Sequence, residues 1–147
     1  MIQVASQKSK SMRKPLSRER VLETAVALAD QRGAEALTMR KLAAELGVEA
    51  MSLYNHVENK NDLLDGMINL VFGEIEVPAP SGDWKSELRT RATSTRNALN
   101  RHRWAIGEME GRTDIGPENM CVHEGVLACL RGAGFTVEMT IHAYSVQ

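Results

Sequence analysis

The chain has 147 residues, enough for one or two compact units with a sizeable core. It is 43% hydrophobic and 25% charged, and 18 Lys and Arg against 19 Asp and Glu give a formal charge of -1, which excludes a polycation that holds nucleic acid by net charge alone. No apolar run approaches the roughly 18 residues of a bilayer span, the polar start at 1–14 has no apolar signal segment, and two cysteines, Cys121 and Cys129, are too few for a disulfide scaffold and suit a reducing cytosol.

Residues 1–16 show no periodicity and are predicted to be a basic, flexible arm. Ser17 is an N-cap candidate for a first helix carrying Val21, Leu22, Ala25, Leu28 and Ala29 at helical spacing, with Gly33 as its stop. Thr38 caps a second piece with Met39, Leu42, Ala43 and Leu46, ended by Gly47. A short third helix is expected from about Glu49 to His56. Asn59, with Asp62 three residues on, opens a fourth, whose wide apolar face of Leu63, Leu64, Met67, Ile68, Val71, Phe72 and Ile75 needs burial against several neighbours.

Pro78, Pro80, Ser81 and Gly82 break the pattern. Asp83 restarts it, with Trp84, Leu88, Ala92, Thr95, Leu99 and His102 on one stripe. Trp104 to Arg112 reads as a shorter helix or as irregular. Gly116-Pro117 opens a helix with proline in the first turn, where its missing N–H costs nothing. That helix has two apolar stripes, Val122, Val126, Cys129 and Ala133 on one, and Met120, His123, Leu127 and Leu130 on the other. Gly132 and Gly134 end it, and Thr136 opens a last helix with Ile141 and Tyr144 on one side. No stop signal closes it before Gln147, so the expectation is a fragment of a longer, all-α protein.

Charge is unevenly spread. Residues 1–41 hold nine Lys and Arg against four Asp and Glu, a net of +5, while the remainder carries -6. A basic front on an acidic body points to an anionic partner, nucleic acid first of all. Residues 38–56 sharpen this. A small residue, Ala43, permits a close crossing of two short helices, and Gly47 tolerates the left-handed conformation of the turn four residues later. Leu42, Leu46, Val48 and Leu53 then fill the wedge, leaving Met51, Ser52, Asn55 and His56 outward and Tyr54 at the edge. Such an uncharged, polar face suits base edges and phosphates in a major groove, and the spacing fits a helix-turn-helix. An ordinary αα-corner in a helical bundle is the other reading of the spacing alone.

The stretch Leu37 to Met67, LTMRKLAAELGVEAMSLYNHVENKNDLLDGM, closely resembles the DNA-binding domain of the tetracycline-repressor (TetR) family of bacterial regulators. The family pattern of a helix, "LAxxLGV" and "LYxHFxxKxxLL" is met almost residue by residue, with Val57 standing where phenylalanine is usual. The match covers about residues 17–67. Trp84, the Gly116-Pro117 start and LRGAGF (Leu130 to Phe135) look like the regulatory domain of the branch that includes the tetracycline repressors.

The resemblance implies a basic arm (1–16), a three-helix DNA-binding head (17–62) and a partial ligand-binding and dimerisation domain (63–147), with the fourth helix as the path between them. It implies a cytoplasmic homodimer, most simply a repressor, that binds a palindromic operator and is released by a small-molecule effector. By position, Thr38, Ala50, Met51, Ser52, Tyr54, Asn55, His56 and Lys60 are the DNA contacts. Met51, Ser52 and Asn55 are the candidates for base readout, and Lys8, Lys10, Arg13 and Lys14 add minor-groove or phosphate contacts. The effector candidates are Met67, His102, Trp104, Met109, Met120, His123, Leu127, Met139 and His142, since Met and Trp suit an adaptable apolar cavity.

No cofactor is implied. Cys121, His123 and Cys129 match no zinc spacing. No nucleophile elbow, H-E-x-x-H or Walker loop is present, and Ser52 with His56 lacks an orienting carboxylate, so an enzyme is not expected. A helical protein-interaction module tethered by a basic arm is the alternative class, and it would show weak DNA binding without sequence preference.

Overall fold

The computed structural model describes residues 15–112 and 116–146, and every regular element in it is helical. The basic arm residues Lys8, Lys10, Arg13 and Lys14 lie outside the described residues. The order is α1 (Arg18–Arg32), a 3₁₀ turn (Ala34–Ala36), α2 (Met39–Leu46), α3 (Ala50–Leu53), α4 (Lys60–Phe72), α5 (Trp84–Arg101), α6 (Trp104–Met109), α7 (Pro117–Gly132) and α8 (Val137–Ser145).

Capping explains most of the starts. The side chains of Ser17, Thr38, Asn59, Asp83 and Thr136 accept from the N–H groups of Arg20, Lys41, Asp62, Ser86 and Met139, satisfying donors that a helix leaves unpaired. Gly47 ends α2 at φ 68°, ψ 37°, a left-handed conformation that side chains resist.

Two elements are shorter than the periodicity predicts. The third helix, expected to about His56, keeps helical form only to Leu53. The N–H groups of Tyr54, Asn55 and His56 then bond three residues back rather than four, and this tighter winding returns Val57 to the core at 2% exposure. The fourth helix, whose apolar face runs to Ile75, stops at Phe72. Beyond it Glu74 and Ile75 also bond three residues back, and the N–H of Glu76 is taken by Ser94 Oγ at 2.7 Å. Pro78 follows, and it holds the residue before it in extended backbone. Ile75 is still buried.

Two apolar cores result, joined by α4. The first packs Val21, Leu22 and Ala25 of α1 and Leu42, Ala43 and Leu46 of α2 around Leu53, Val57, Leu63, Leu64 and Met67. The second gathers Val71, Ile75, Ala98, Ala105 and Val122. Helix α4 thus serves both cores, and a boundary after residue 62 falls at the start of a helix whose first half belongs to the head.

Helix α5 departs from the expected stripe at one position. Of that stripe Trp84, Leu88, Thr95 and Leu99 are half-buried and His102 is buried, while Ala92 is exposed and Arg91 and Ala98 turn inward beside it. On α7, Val122, Val126 and Cys129 are buried, while of the second stripe only Leu130 is. On α8 the buried residue is Thr140, whereas Ile141 stays exposed and Tyr144 half-buried. Among the described residues, no helix is long and apolar enough to cross a membrane.

Candidate nucleic-acid interface

The α2–α3 pair is a wedge. Leu42 and Leu53 are fully buried, Leu46 nearly so, and Val48 packs on the same core. Gly47 lets the chain reverse, and the N–H of Val48 returns to the carbonyl of Ala43 at 3.0 Å. With one face so anchored, α3 and the turn after it present the opposite face to solvent. Met51 is 75% exposed and Tyr54 46%. Asn55 is exposed, and Ser52 and His56 are half-buried. Ala50 is also half-buried and rests on the head core, so its side chain offers a small surface. Thr38 and Lys60 are exposed, at the starts of α2 and α4. Of the eight positions proposed from sequence, six lie in α3 and the turn after it, while Thr38 caps α2 and Lys60 opens α4.

Two parts of this arrangement escape local sequence patterns. Arg18, at the start of α1, grips Asp62, in the first turn of α4, through two bonds of 2.9 and 2.7 Å, and also donates to the carbonyl of His56 at 2.7 Å. The same carboxylate accepts from the N–H of Glu58 at 2.8 Å. A bidentate pair thus fixes the turn that follows α3. Asp62 is visible in sequence only as a charge suited to a helix start, and its partner lies 44 residues away. Arg40 is likewise exposed in the first turn of α2, beside Thr38. Its signal in sequence is a cation in the capped turn that opens the helix-turn-helix.

The bond from Arg18, helped by the N–H of Glu58 and opposed by burial, holds the Asp62 carboxyl below its ordinary value of 3.8. Because the folded value is the lower one, the pair adds stability above pH 3.8 that disappears as pH falls through the folded value. Asp62→Asn is expected to remove that part of the acid limb of an unfolding curve measured from pH 6 to 2, with helical content followed by circular dichroism.

The nine effector candidates occupy separate places. Met67 is fully buried inside the head core, a consequence of α4 turning its first half to α1. His102 and Trp104 pair off behind the head, ring centroids 6.5 Å apart. Met109 packs at the edge of the second core. Met120, Leu127 and Met139 are 58%, 38% and 52% exposed, and His142 is exposed. None of the nine lines the three clefts of about 260, 350 and 460 Å³ that flank α1, α2, α4 and α6.

His123 stands apart from the other eight. Its Nδ1 meets the Tyr144 hydroxyl, joining α7 to α8, and Arg91 of α5 acts on both rings. Burial, and then the Arg91 charge, push the His123 imidazole below its ordinary value of 6.5. The neutral ring is the one the fold favours. The stability it contributes is complete above pH 6.5 and is lost as pH falls, since the unfolded chain binds the proton more readily. The thermal midpoint of the wild type should fall more between pH 7.5 and 5.5 than that of His123→Asn.

Among the described residues, no group of three His, Cys, Asp or Glu is placed to hold a metal ion. Cys121 is exposed and Cys129 buried on the same helix.

A three-helix head with an exposed second helix-turn-helix element, carried on a helix shared with a further helical domain, defines a helix-turn-helix protein of two-domain, all-helical build. The family model described as bacterial regulatory proteins, tetR family, matches residues 21–67, and that of the tetracyclin repressor-like C-terminal domain matches 77–147. The chain belongs to the TetR family, a family of regulators rather than of enzymes.

It is 40% identical over 130 residues to the HTH-type transcriptional repressor DrrR1 of Streptomyces coeruleorubidus, covering 87% of this chain and 48% of that one. It is 42% identical over 91 residues to the class D tetracycline repressor protein of Escherichia coli, covering 60% and 42%. The crystal structure of ActR from Streptomyces coelicolor in complex with actinorhodin superimposes with a TM-score of 0.80 at 34% identity, covering 90% of this chain and 64% of that one. The chain spans about half the length of DrrR1 and less of the class D repressor.

Proposed function

We propose that the protein is a ligand-responsive transcriptional regulator, a repressor that binds a palindromic operator as a homodimer in the cytoplasm and is released by a small molecule. The observation that carries this reading is the outward face of Met51, Ser52 and Asn55 on an element anchored from behind by Leu53. These three read bases. Thr38, Tyr54, His56 and Lys60 meet the backbone, Ala50 lies close against it, and Arg40 adds a phosphate contact. Residues 17–62 with the first half of α4 form the head, and the rest forms the regulatory domain. There the effector meets His123, with Arg91 and Tyr144 beside it.

The relatives support the reading by what they are. DrrR1 is named a transcriptional repressor, and ActR was crystallised in complex with actinorhodin. The regulatory step needs a path, and α4 is one, being packed in both cores. An effector shifts the equilibrium only as far as it prefers the released arrangement.

The test is a selection of random duplex DNA by the protein, sequenced after enrichment at two salt concentrations. The expected result is a palindrome whose half-sites lie about one helical turn apart, bound less tightly at the higher salt. Enrichment of no sequence at either salt would overturn the operator-binding reading.

A further inference from the structure

Behind the head lies a polar node that neither DNA reading nor effector binding employs. His102 is 7% exposed. Its Nδ1 is 2.8 Å from Asp30 Oδ1, and its Nε2 is 3.0 Å from Glu74 Oε1. The Trp104 indole N–H donates to the same Asp30 oxygen at 2.7 Å. Arg101 donates to the other oxygen of Glu74 through Nη2 at 2.5 Å and Nε at 3.2 Å. Asp30 sits in the last turns of α1, in the head. Glu74 sits in the turn that ends α4. His102 and Trp104 straddle the junction of α5 and α6, in the regulatory domain.

Each ring nitrogen of His102 lies against a carboxylate oxygen, one of Asp30 and one of Glu74. The environment of Glu74 reflects this. Burial alone would raise its carboxyl, yet the bonds from Arg101 and His102 and their charges leave it below its ordinary value.

The place of the node matters as much as its chemistry. Helix α4 runs through both cores, and Trp104 rests against both, so head and body meet through one helix and an apolar contact that has no fixed direction. The His102 contacts add a directional, polar tie from the body to α1. Asp30 and Glu74 are partly open to water, with 29% and 39% of their side chains exposed. Once parted from His102 they are solvated rather than stranded, so the tie is reversible where a fully buried one would not be.

We infer that His102 is a positioning residue whose imidazole ties Asp30 to Glu74 and thereby sets the angle of the head on the regulatory domain. The consequence for half-site spacing rests on the operator-binding reading above, whereas the clamp itself does not.

The clamp is tested within one chain. Spin labels on the native, exposed Cys121 of α7 and on an introduced Glu45→Cys of α2 report the distance between body and head, while Cys129 stays buried. In the otherwise native chain, diluted with unlabelled protein so that each labelled chain is measured alone, one narrow distance is expected. Asp30→Asn and His102→Gln should each broaden it or split it in two, with helical content by circular dichroism unchanged. Asp30→Asn, at a partly exposed position, keeps the test decisive where His102→Gln lowers folding. A distance that stays single and narrow in both would overturn the proposal.

A second arm uses palindromes of graded spacing. The preference of the wild type for one spacing should fall by about fivefold or more in Asp30→Asn, with affinity for a lone half-site unchanged. A preference kept in full would show that the clamp does not set the spacing. Failure of the wild type to bind any palindrome would refute the function and leave the label distances to judge the clamp.

Discussion

Leu53→Ala should destabilise the head by about 2–5 kcal/mol and remove DNA binding at physiological temperature. Helix α3 is a single turn, Ala50–Leu53, far below the length at which a helix is stable by itself in water. It exists because Leu53 is pinned, at 0% exposure, against Leu42, Leu46 and Val57 of the same core. Truncating that side chain removes about 1.5–3 kcal/mol of apolar burial and leaves a cavity that the flanking elements cannot close, since Gly47 and the Arg18–Asp62 pair hold them on either side. A domain whose total stability is about 5–15 kcal/mol feels such a loss strongly. The measurement is a denaturant unfolding curve with amide exchange of residues 50–57. The comparison is Leu127→Ala on α7, 38% exposed, which should cost less than about 1 kcal/mol. Equal, small shifts in the two would mean that α3 is held by something other than its buried anchor.

Much of this architecture is legible in the sequence because it is local. Ser17, Thr38, Asn59, Asp83 and Thr136 each announce a helix by chemistry that acts within three residues, and each caps the helix it announces. Ala43, Gly47 and Leu53 mark the helix-turn-helix by the same short-range logic. What escaped is long-range or depends on register. The partner of Asp62 is 44 residues away, and those of His102 are 72 and 28. No period or spacing connects them. Residues 91 and 92 both keep helical spacing from Leu88, so the period alone does not tell that the Arg91 side chain, rather than Ala92, turns inward. The end of α3 is hidden in the sequence because 3₁₀ winding has nearly the same periodicity as an α-helix over three residues. Effector candidates rest on residue type, and residue type does not say which side of α7 faces α4.

The recognition face and its flanks should fail in different ways when truncated. Ser52 and Asn55 offer hydrogen-bond donors and acceptors, and Met51 is a flexible apolar side chain suited to a thymine methyl. Asn55→Ala is expected to cost about 1–3 kcal/mol on the selected operator and to relax the preference at one base pair of each half-site. Ser52→Ala should do the same more weakly at a neighbouring position, and because the two residues lie on one turn their combined loss need not be additive. Lys60, exposed at the start of α4, is a point charge at a helix N-terminus and reads no base. Lys60→Ala should weaken all duplexes alike and reduce the slope of log affinity against log salt by about 0.9 per half-site. Titrations of each variant against the selected operator and a scrambled duplex, at three salt concentrations, separate these outcomes. The decisive contrast is the ratio of operator to scrambled affinity, which Asn55→Ala should collapse and Lys60→Ala should leave intact. A ratio lost in Lys60→Ala and kept in Asn55→Ala would reverse the assignment of readers and anchors, and would place base recognition at the α4 start rather than on α3.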